Sequence, residues 1–398
     1  MLKDSKISIV IPSYKCEKYL ERLLKSIRNQ TLKPLEIIII DSKSNLREIE
    51  KIIKYYNDLN IVIKQIDQSS FPGNKRNLGA KISNGNVLAF LDLKTIPKKD
   101  WLENGLNLVL KEKYSVVFGS TKFKYNTYLQ KLINHATFGD SVHETTPGTI
   151  IYKEIFLNTG YFLENVRAGD DLEWRERIKK NKIKYIFSEK EKLNYFDDNK
   201  NIYSFLKKIF VYSLHSSFVS VQTNIKYFYL ILLLIFSMII VPKWNYIIPD
   251  WQNNFFYIPN ITKIYVSFLL LIYILYFSIN FVFKLSSNKY KNNFFSHLFT
   301  YIILIIIFCT AYFWNRTIAN GIDYGVWYIP HVTKIYVSSV VVVSLLYRGL
   351  FNPLSKKVKF KKLFPFNWIF AGLIGLFIDI VKAPGYLIGA LFLPFIKK

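Results

Sequence analysis

The chain has 398 residues, room for two or three domains, and a formal net charge of +26 at pH 7. A charge of this sign favours nucleic acid or an anionic membrane surface as the partner. After residue 205 the only acidic residues are Asp250, Asp323 and Asp379, and apolar runs punctuated by lysine replace the polar basic face that a nucleic-acid-binding domain needs. The composition therefore excludes nucleic acid and predicts membrane lipids as a partner.

The first part of the chain has the features of a cytoplasmic domain. The two cysteines, Cys16 and Cys309, provide no disulfide framework and indicate a reducing compartment. The apolar run at residues 7–11 is too short for a signal-peptide core and is cut by Pro12. We expect this domain to remain in the cytoplasm.

Strands and helices alternate from the start of the chain. Apolar runs predict strands at residues 7–11, 35–40, 61–66 and 87–91. Apolar residues at helical spacing lie between them, at residues 17–30, 48–56 and 77–83. This order favours an α/β fold with a doubly wound, mostly parallel sheet.

Three of these strands end near a carboxylate, namely Asp41, Asp67 and Asp92. One such residue is usually a turn former. Ligands of open α/β sheets bind beyond the carboxyl ends of the strands, so three in succession predict a shared ligand site.

Three further elements and an amphipathic segment follow. The patterns predict a helix at 96–110, a strand at 115–123, a helix at 172–180 and an amphipathic helix at 203–221. The amphipathic helix suits a membrane interface, and its alternative is a last packing helix of the preceding domain.

Five motifs resemble those of family-2 nucleotide-sugar glycosyltransferases, in the family's order over residues 7–195. They are Ile9-Val-Ile-Pro-Ser-Tyr14, Asp41-Ser-Lys-Ser, Gly73-Asn-Lys-Arg-Asn-Leu-Gly79, Phe90-Leu-Asp92 and Ala168-Gly-Asp-Asp-Leu-Glu-Trp-Arg175. The resemblance implies a GT-A fold, an inverting transfer and a nucleoside-diphosphate-sugar donor.

The resemblance also implies donor-binding residues. Asp41 is expected to accept hydrogen bonds from the nucleobase above a floor of Pro12 and Tyr14, although an ordinary strand-ending turn explains the same residues. Asp67 is placed in the same donor site. Lys75 and Arg76 suit a diphosphate, because cations and the guanidinium fork match its oxygens; their alternative is a surface basic pair.

The second position of the family's Asp-x-Asp motif differs in this chain. Asp92 keeps the first carboxylate, but Lys94 replaces the second, and a protonated lysine has no lone pair for a metal. Either Asp92 and the diphosphate hold Mg2+ or Mn2+ with fewer protein ligands, or the Lys94 ammonium replaces part of the charge of the metal, or Lys94 points to solvent and the metal is bound elsewhere. These alternatives leave metal dependence open.

Asp170 and Asp171 occupy the family's catalytic position. Asp171 aligns with the general base, and Asp170 stands where relatives have glutamate; neighbouring carboxylates raise each other's proton affinity. An N-cap pair is the structural alternative. The acceptor-site candidates are His143, Glu144, Trp174 and Arg175, and a lone histidine such as His143 is more often structural.

The rest of the chain has a membrane pattern. Four spans are predicted at 225–242, 262–283, 294–314 and 332–348, with most lysine and arginine on the side of the catalytic domain. Residues 257–267 and 328–338 are identical at nine of eleven positions, which indicates a duplicated hairpin. The tail at 366–398 is split by Asp379, Lys382 and Pro384 and reads as interfacial or re-entrant helices.

The sequence thus predicts four parts: a GT-A domain at 1–202, an interfacial helix at 203–224, four transmembrane helices at 225–350 and a basic loop with interfacial helices at 351–398. The predicted function is transfer of one sugar to a lipid-linked acceptor, a polyprenyl phosphate or a lipid-linked or envelope glycan, by a multi-pass protein of the cell membrane. A degenerate scaffold is the alternative, and a processive synthase is disfavoured because no Gln-x-x-Arg-Trp follows Asp171 before Lys226.

Overall fold

A computed structural model of the protein describes residues 5–15, 17–42, 44–66, 70–111, 115–196, 201–219, 221–222, 257–258, 264 and 341–396. The chain divides into two compact units, Met1–Val221 with Leu346–Ile378, and Gln222–Leu345 with Asp379–Lys398. The first unit contains all the strands in the part of the chain that the structure describes.

Within those residues, eight strands form one sheet in the order β3-β2-β1-β4-β7-β6-β8-β5. They are β1 (Ile7–Tyr14), β2 (Glu36–Ser42), β3 (Ile61–Gln65), β4 (Val87–Phe90), β5 (Thr95–Ile96), β6 (Val116–Lys124), β7 (His143–Tyr152) and β8 (Tyr185–Phe196).

The helices between residues 17 and 217 pack around this sheet. They are α1 (Glu17–Arg28), α2 (Leu46–Lys54), α3 (Pro72–Ile82), α4 (Trp101–Lys111), α5 (Tyr128–Thr137), α6 (Lys153–Thr159), α7 (Asp170–Lys180) and α8 (Ile202–Ser217). Towards the C-terminus, a π-helical turn (Tyr347–Phe351) leads into α9 (Asn352–Ser355), α10 (Phe360–Leu363) and α11 (Asn367–Ile396).

The first four long strands are parallel, which aligns their carboxyl ends. β1 pairs in parallel with both β2 and β4, and β2 with β3. β7 runs antiparallel to β4 and β6, so the complete sheet is mixed. The α/β fold is confirmed, and the parallel register places Ser13 opposite Asp41 at the edge where β4 leads to Asp92.

Alternating side chains give the sheet a core on each face. Odd-numbered residues of β1, such as Ile9 and Ile11, pack with the apolar face of α1. Val10 packs on the other face with Phe90 and Trp174. Because successive side chains of a strand point to opposite faces, both faces are covered and the ligand edge lies between the layers.

Several helix bounds differ from the sequence expectation. α3 begins at Pro72 rather than at residue 77, so Lys75 and Arg76 lie on a helix. Proline suits the first helical turn, where its missing N–H has no intrahelical partner. α4 begins at Trp101, beyond the expected start at residue 96, because Thr95–Ile96 pairs with β8 instead.

The tail forms one helix where the sequence suggested a split. α11 continues through Asp379, Lys382 and Pro384, since a proline removes one backbone hydrogen bond without necessarily ending a long apolar helix. Within the described residues, Asn367–Gly389 is the one stretch long and apolar enough to cross a membrane, with a mean hydropathy of 1.6. By length and composition, this supports membrane association.

Other predictions concern residues outside the described ranges. Asp67 is among them. So are the four predicted spans, apart from residue 264 and residues 341–348, and the repeat, apart from residues 257, 258 and 264.

Candidate active site

Asp41 is held at the ends of β1 and β2 by hydroxyl and amide donors. Its carboxylate accepts from the Ser13 hydroxyl at 2.5 Å, the Ser44 hydroxyl at 2.7 Å and the Ser44 amide at 3.0 Å. The residue is fully buried, and Tyr14 beside it is exposed. Buried carboxylates need such donors, and here they fix the Asp41 side chain at the ligand edge.

Lys75 reaches the same strand ends from α3. Its ammonium donates to the Ser13 carbonyl and to the Ser42 hydroxyl, both at 2.5 Å. Burial lowers the pKa of Lys75 to about 8, with Asp41 opposing and Arg167 adding to that shift. Lys75 therefore belongs to the Asp41 side of the site.

Arg76 joins two carboxylates inside the domain. Its terminal nitrogens donate to Asp92 and to Asp170, each at 3.0 Å, and the guanidinium is buried. Burial opposes its charge, but Asp92 and Asp170 outweigh burial and raise the pKa of Arg76. Both terminal nitrogens are thus paired inside the domain, and the contact of Arg76 with a donor diphosphate stays a prediction.

The acid pair at the start of α7 has two different surroundings. The Asp170 side chain is 5% exposed and contacts Arg76, whereas that of Asp171 is 32% exposed and lies 3.7 Å from Arg175. Burial raises the pKa of Asp170 to about 7; Arg76 opposes this shift, and Asp171 and Asp92 add to it. Asp171 is thus the carboxylate that a substrate can reach.

The backbone before this pair requires glycine. Gly169 is the N-cap of α7 and has a φ of +93°, in the region that L side chains rarely adopt. A Cβ there would also lie 3.1 Å from Val219, just beyond α8. This turn places Asp170 and Asp171 in the first helical turn, where the helix dipole favours carboxylates.

Glu144 and Arg175 orient α7 on the sheet. Arg175 donates to the Glu144 carbonyl at 2.7 Å and to its carboxylate at 3.0 Å, and Lys179 donates to both carboxylate oxygens. These contacts connect α7 to β7 beside Asp171. Both predicted acceptor-site residues are therefore close to the candidate base.

Trp174 lies elsewhere, which corrects its predicted place beside the acceptor. Its side chain is fully buried among Phe90, Phe118, Phe156 and Phe162, with ring centroids 4.7–6.4 Å away. Trp174 and Arg175 are neighbours on α7 and therefore point about 100° apart, so Arg175 reaches Glu144 while Trp174 points to the core.

His143 is also held by local contacts. Its Nε2 lies 2.7 Å from the Phe138 carbonyl oxygen and 3.2 Å from the Ser141 hydroxyl. The ring packs edge-on against Phe123 and Phe138. These contacts correspond to the structural alternative for a lone histidine.

Asp92 offers one carboxylate to a metal. One of its oxygens accepts from Arg76, and its backbone forms a turn with Thr95. The Lys94 ammonium lies 5.3 Å from the centre of the Tyr19 ring. The described residues contain no group of three metal-binding side chains, but Mg2+ is commonly bound by one carboxylate together with substrate phosphates, so Asp92 fits that role.

Arg167 is a cation that the sequence argument missed. It is half-buried and forms no hydrogen bond or ion pair with any residue that the structure describes. Its charge contributes to lowering the pKa of Lys75 and, after burial, that of His215. Lys75 and Arg167 thus place positive charge within electrostatic reach of each other, with the ring of His215 beside Arg167, which suits an anionic ligand.

The end of α8 forms part of the same wall. The His215 ring lies 5.2 Å from that of Phe71 at the start of α3, and its Nδ1 is buried without a hydrogen bond. Val219 and Val221, which follow α8, pack with Val166. For the amphipathic segment, this geometry favours the packing-helix alternative.

Residues 8–165 match the sequence profile of a family described as glycosyl transferase family 2. The first half of the chain contains a glycosyl transferase family 2 domain. The match ends before Asp170, so the acid pair lies just beyond the matched residues. The α/β fold and the family-2 prediction are confirmed for this domain.

Curated relatives resemble the family 2 domain over part of their length. Glycosyltransferase AglE of Haloferax volcanii is 24% identical over 186 residues, which cover 43% of this chain and 60% of the relative. An uncharacterized glycosyltransferase of Rickettsia bellii is 29% identical over 184 residues, covering 43% and 26%. The chain therefore spans less than two thirds of these relatives.

A third relative is named for its action on poly(ribitol-phosphate). Poly(ribitol-phosphate) beta-N-acetylglucosaminyltransferase TarS of Staphylococcus aureus is 26% identical over 182 residues, covering 42% of this chain and 31% of TarS. The crystal structure of TarS 1-349 with UDP-GlcNAc has a TM-score of 0.41 and 18% identity, covering 53% of this chain and 66% of that one.

Replacing Arg76 by alanine tests the buried ion pairs of the family 2 domain. The change leaves Asp170 buried without its cation, so we expect the free energy of unfolding to fall by about 3–5 kcal/mol. Arg28→Ala is the control, since its ion pair with Asp58 is exposed and such pairs contribute about 0–1 kcal/mol. Equal losses in denaturant unfolding of the two variants would contradict the structure.

Stability should also depend on pH through Asp170. Its folded pKa of about 7 lies above the ordinary value of about 4, so the folded chain retains a proton that the unfolded chain loses. The contribution of this group to stability therefore falls as pH rises from about 4 to about 7. In unfolding measured across this range, Asp170→Asn should flatten that dependence and Asp58→Asn should leave it; an unchanged slope in Asp170→Asn refutes the assignment.

Proposed function

We propose that the protein transfers a single sugar, with inversion, from a nucleoside-diphosphate-sugar to a lipid-linked acceptor. The observation that carries the proposal is the position of Asp41, Asp92 and Asp171 at one edge of a family 2 domain, where ligands of such sheets bind. Each part of the donor has a matching group along this edge.

Asp41 is the proposed partner of the nucleobase. Its carboxylate is fixed by Ser13 and Ser44, so it is preorganised before the donor arrives. Tyr14 is exposed beside it and offers a flat surface. Lys75 fixes the ends of β1 and β2, which carry Ser13 and Asp41, through its hydrogen bonds to Ser13 and Ser42.

The diphosphate is assigned to Arg167 and His215, with Lys75 nearby. Arg167 supplies a guanidinium whose donors are not used by any described residue, and His215 a buried ring nitrogen without a partner. Asp92 would hold Mg2+ or Mn2+ on the same diphosphate. A bound cation balances charge on the departing nucleoside diphosphate.

Asp171 is the proposed general base. It takes the proton of an acceptor hydroxyl as that oxygen attacks the anomeric carbon, and the nucleoside diphosphate leaves from the opposite face. Asp170 and Arg76 position α7 and do not move the proton. A polyprenyl phosphate needs no such base, because its oxygen is already ionised, so an accessible Asp171 favours a hydroxyl acceptor on a lipid-linked glycan.

The lipid acceptor and membrane location rest on the apolar half of the chain. α11 has the length and composition of a membrane helix, and the sequence predicts four further spans. Such an arrangement keeps the domain at the lipid headgroups on the cytoplasmic side. Absence of a Gln-x-x-Arg-Trp motif between Asp171 and Lys226 supports addition of one sugar rather than processive synthesis.

A catalytically degenerate scaffold for glycan assembly is the second candidate. The observation that favours it is Lys94 in place of a carboxylate, since this substitution removes one metal ligand. The two candidates differ in what happens when Asp171 loses its negative charge.

Membranes containing the chain should transfer label from UDP- or GDP-sugars to the lipid extract. Asp171→Asn should lower this turnover by about 10²–10⁴-fold, because it removes general base catalysis. Glu173→Gln is the matched control on α7: it pairs with Arg177 at 2.7 Å and should retain most activity.

Three outcomes oppose parts of this proposal. Equal, measurable turnover of Asp171→Asn and the unaltered chain favours a phosphate acceptor, and label transfer by neither favours the scaffold. Label confined to water-soluble products contradicts the lipid acceptor. Unchanged turnover in EDTA contradicts the metal role of Asp92.

Arg167→Gln tests the anion site directly. Charge-assisted hydrogen bonds contribute about 1.5–3 kcal/mol, so UDP or GDP should bind about 10–150-fold more weakly. Isothermal titration calorimetry measures this affinity. Arg47→Gln, an exposed arginine on α2, is the control and should leave it unchanged; an equally unchanged affinity in Arg167→Gln would remove Arg167 from the site.

A further inference from the structure

A basic and aromatic segment joins α9 to α11. Residues 356–366, named here the lysine-phenylalanine segment, contain five lysines and three phenylalanines and no acidic residue. This segment belongs to the same compact unit as the family 2 domain. None of the groups proposed for sugar transfer lies within it.

The segment is attached to the domain by defined contacts. Lys362 donates to the Asp140 carboxylate at 2.8 Å and to the Tyr125 hydroxyl at 3.3 Å. Lys356 donates to the Thr137 carbonyl at the end of α5, and the Leu363 side chain is fully buried. These contacts fix the backbone of the segment on the domain surface.

Lys357 pairs with Glu189 at 3.2 Å and Val358 is buried, whereas the three phenylalanines and the other two lysines of the segment point to solvent. Phe360, Phe364 and Phe366 are 55%, 41% and 64% exposed, and the first two rings are stacked with centroids 4.1 Å apart. Lys359 and Lys361 are exposed and form no ion pair with any residue in the described part of the chain. Exposed aromatic rings grouped on a surface mark an interaction site.

We propose that the lysine-phenylalanine segment binds the anionic phospholipid headgroups of a membrane surface. Lysine ammonium groups match lipid phosphates in charge, and phenylalanine rings suit the boundary between headgroups and acyl chains. The segment ends at Phe366, and α11, the described helix that can cross a membrane, begins at the next residue. Aromatic and basic residues are typical of such a boundary.

An acidic protein surface is the competing partner for the same charges. It would account for Lys359 and Lys361 but not for three exposed phenylalanines directly before an apolar helix. The Tyr128 hydroxyl on α5 donates to the side-chain oxygen of Asn367 at 2.5 Å. This hydrogen bond also connects the domain to the first residue of α11. The proposal is independent of which sugar is transferred.

Hydrogen exchange of the full-length chain in lipid nanodiscs tests the proposal. In discs of phosphatidylcholine with phosphatidylglycerol, amides of residues 356–366 should exchange several-fold more slowly than in phosphatidylcholine alone. The double variant Lys359→Gln with Lys361→Gln should abolish this difference. Lys51→Gln with Lys54→Gln, which alters exposed lysines on α2, should preserve it.

Three outcomes of this experiment would overturn the proposal. Equal exchange of the segment in both lipid mixtures overturns the proposal. So does a lipid-dependent difference that survives in the Lys359 and Lys361 double variant. Protection that appears only when other membrane proteins are present assigns the segment to an acidic protein partner instead.

Discussion

One buried guanidinium connects the parts of this site. Arg76 on α3 pairs with Asp92 after β4 and with Asp170 at the start of α7, so one side chain joins three elements far apart in sequence. A buried cation with a missing partner is strongly destabilising, so each element must be in place for the others to be stable. The position of the catalytic helix thus depends on ion pairs in the domain interior.

These ion pairs give the two neighbouring carboxylates Asp170 and Asp171 different surroundings. Asp170 is buried in its ion pair with Arg76 and helps to orient α7. Asp171, the next residue, remains partly exposed at the cleft. Because Arg76 is paired inside the domain, the proposed function assigns the donor diphosphate to the half-buried guanidinium of Arg167, with the ring nitrogen of His215 beside it.

The sequence predicted the features that depend on the direction of the chain, such as the strands and their shared edge. It did not predict which way individual side chains point. Apolar runs separated by helical faces predicted β1 to β4 and the alignment of Asp41 with Asp92, since parallel strands share an edge. The burial of Trp174 and the internal ion pairs of Arg76 were not predicted, because one helical residue decides between cleft and core, and Arg167 has no motif. The continuity of α11 was missed because charged residues and Pro384 resemble a break.

A double-mutant cycle between Arg76→Gln and Asp170→Asn measures this central interaction. Residues in direct contact show coupling free energies of about 0.5–3 kcal/mol, whereas separate residues are additive. We predict that the double variant is less destabilised than the sum of the single variants by an amount in that range. Additive losses in the free energy of unfolding would show that the two side chains do not interact and would contradict the account.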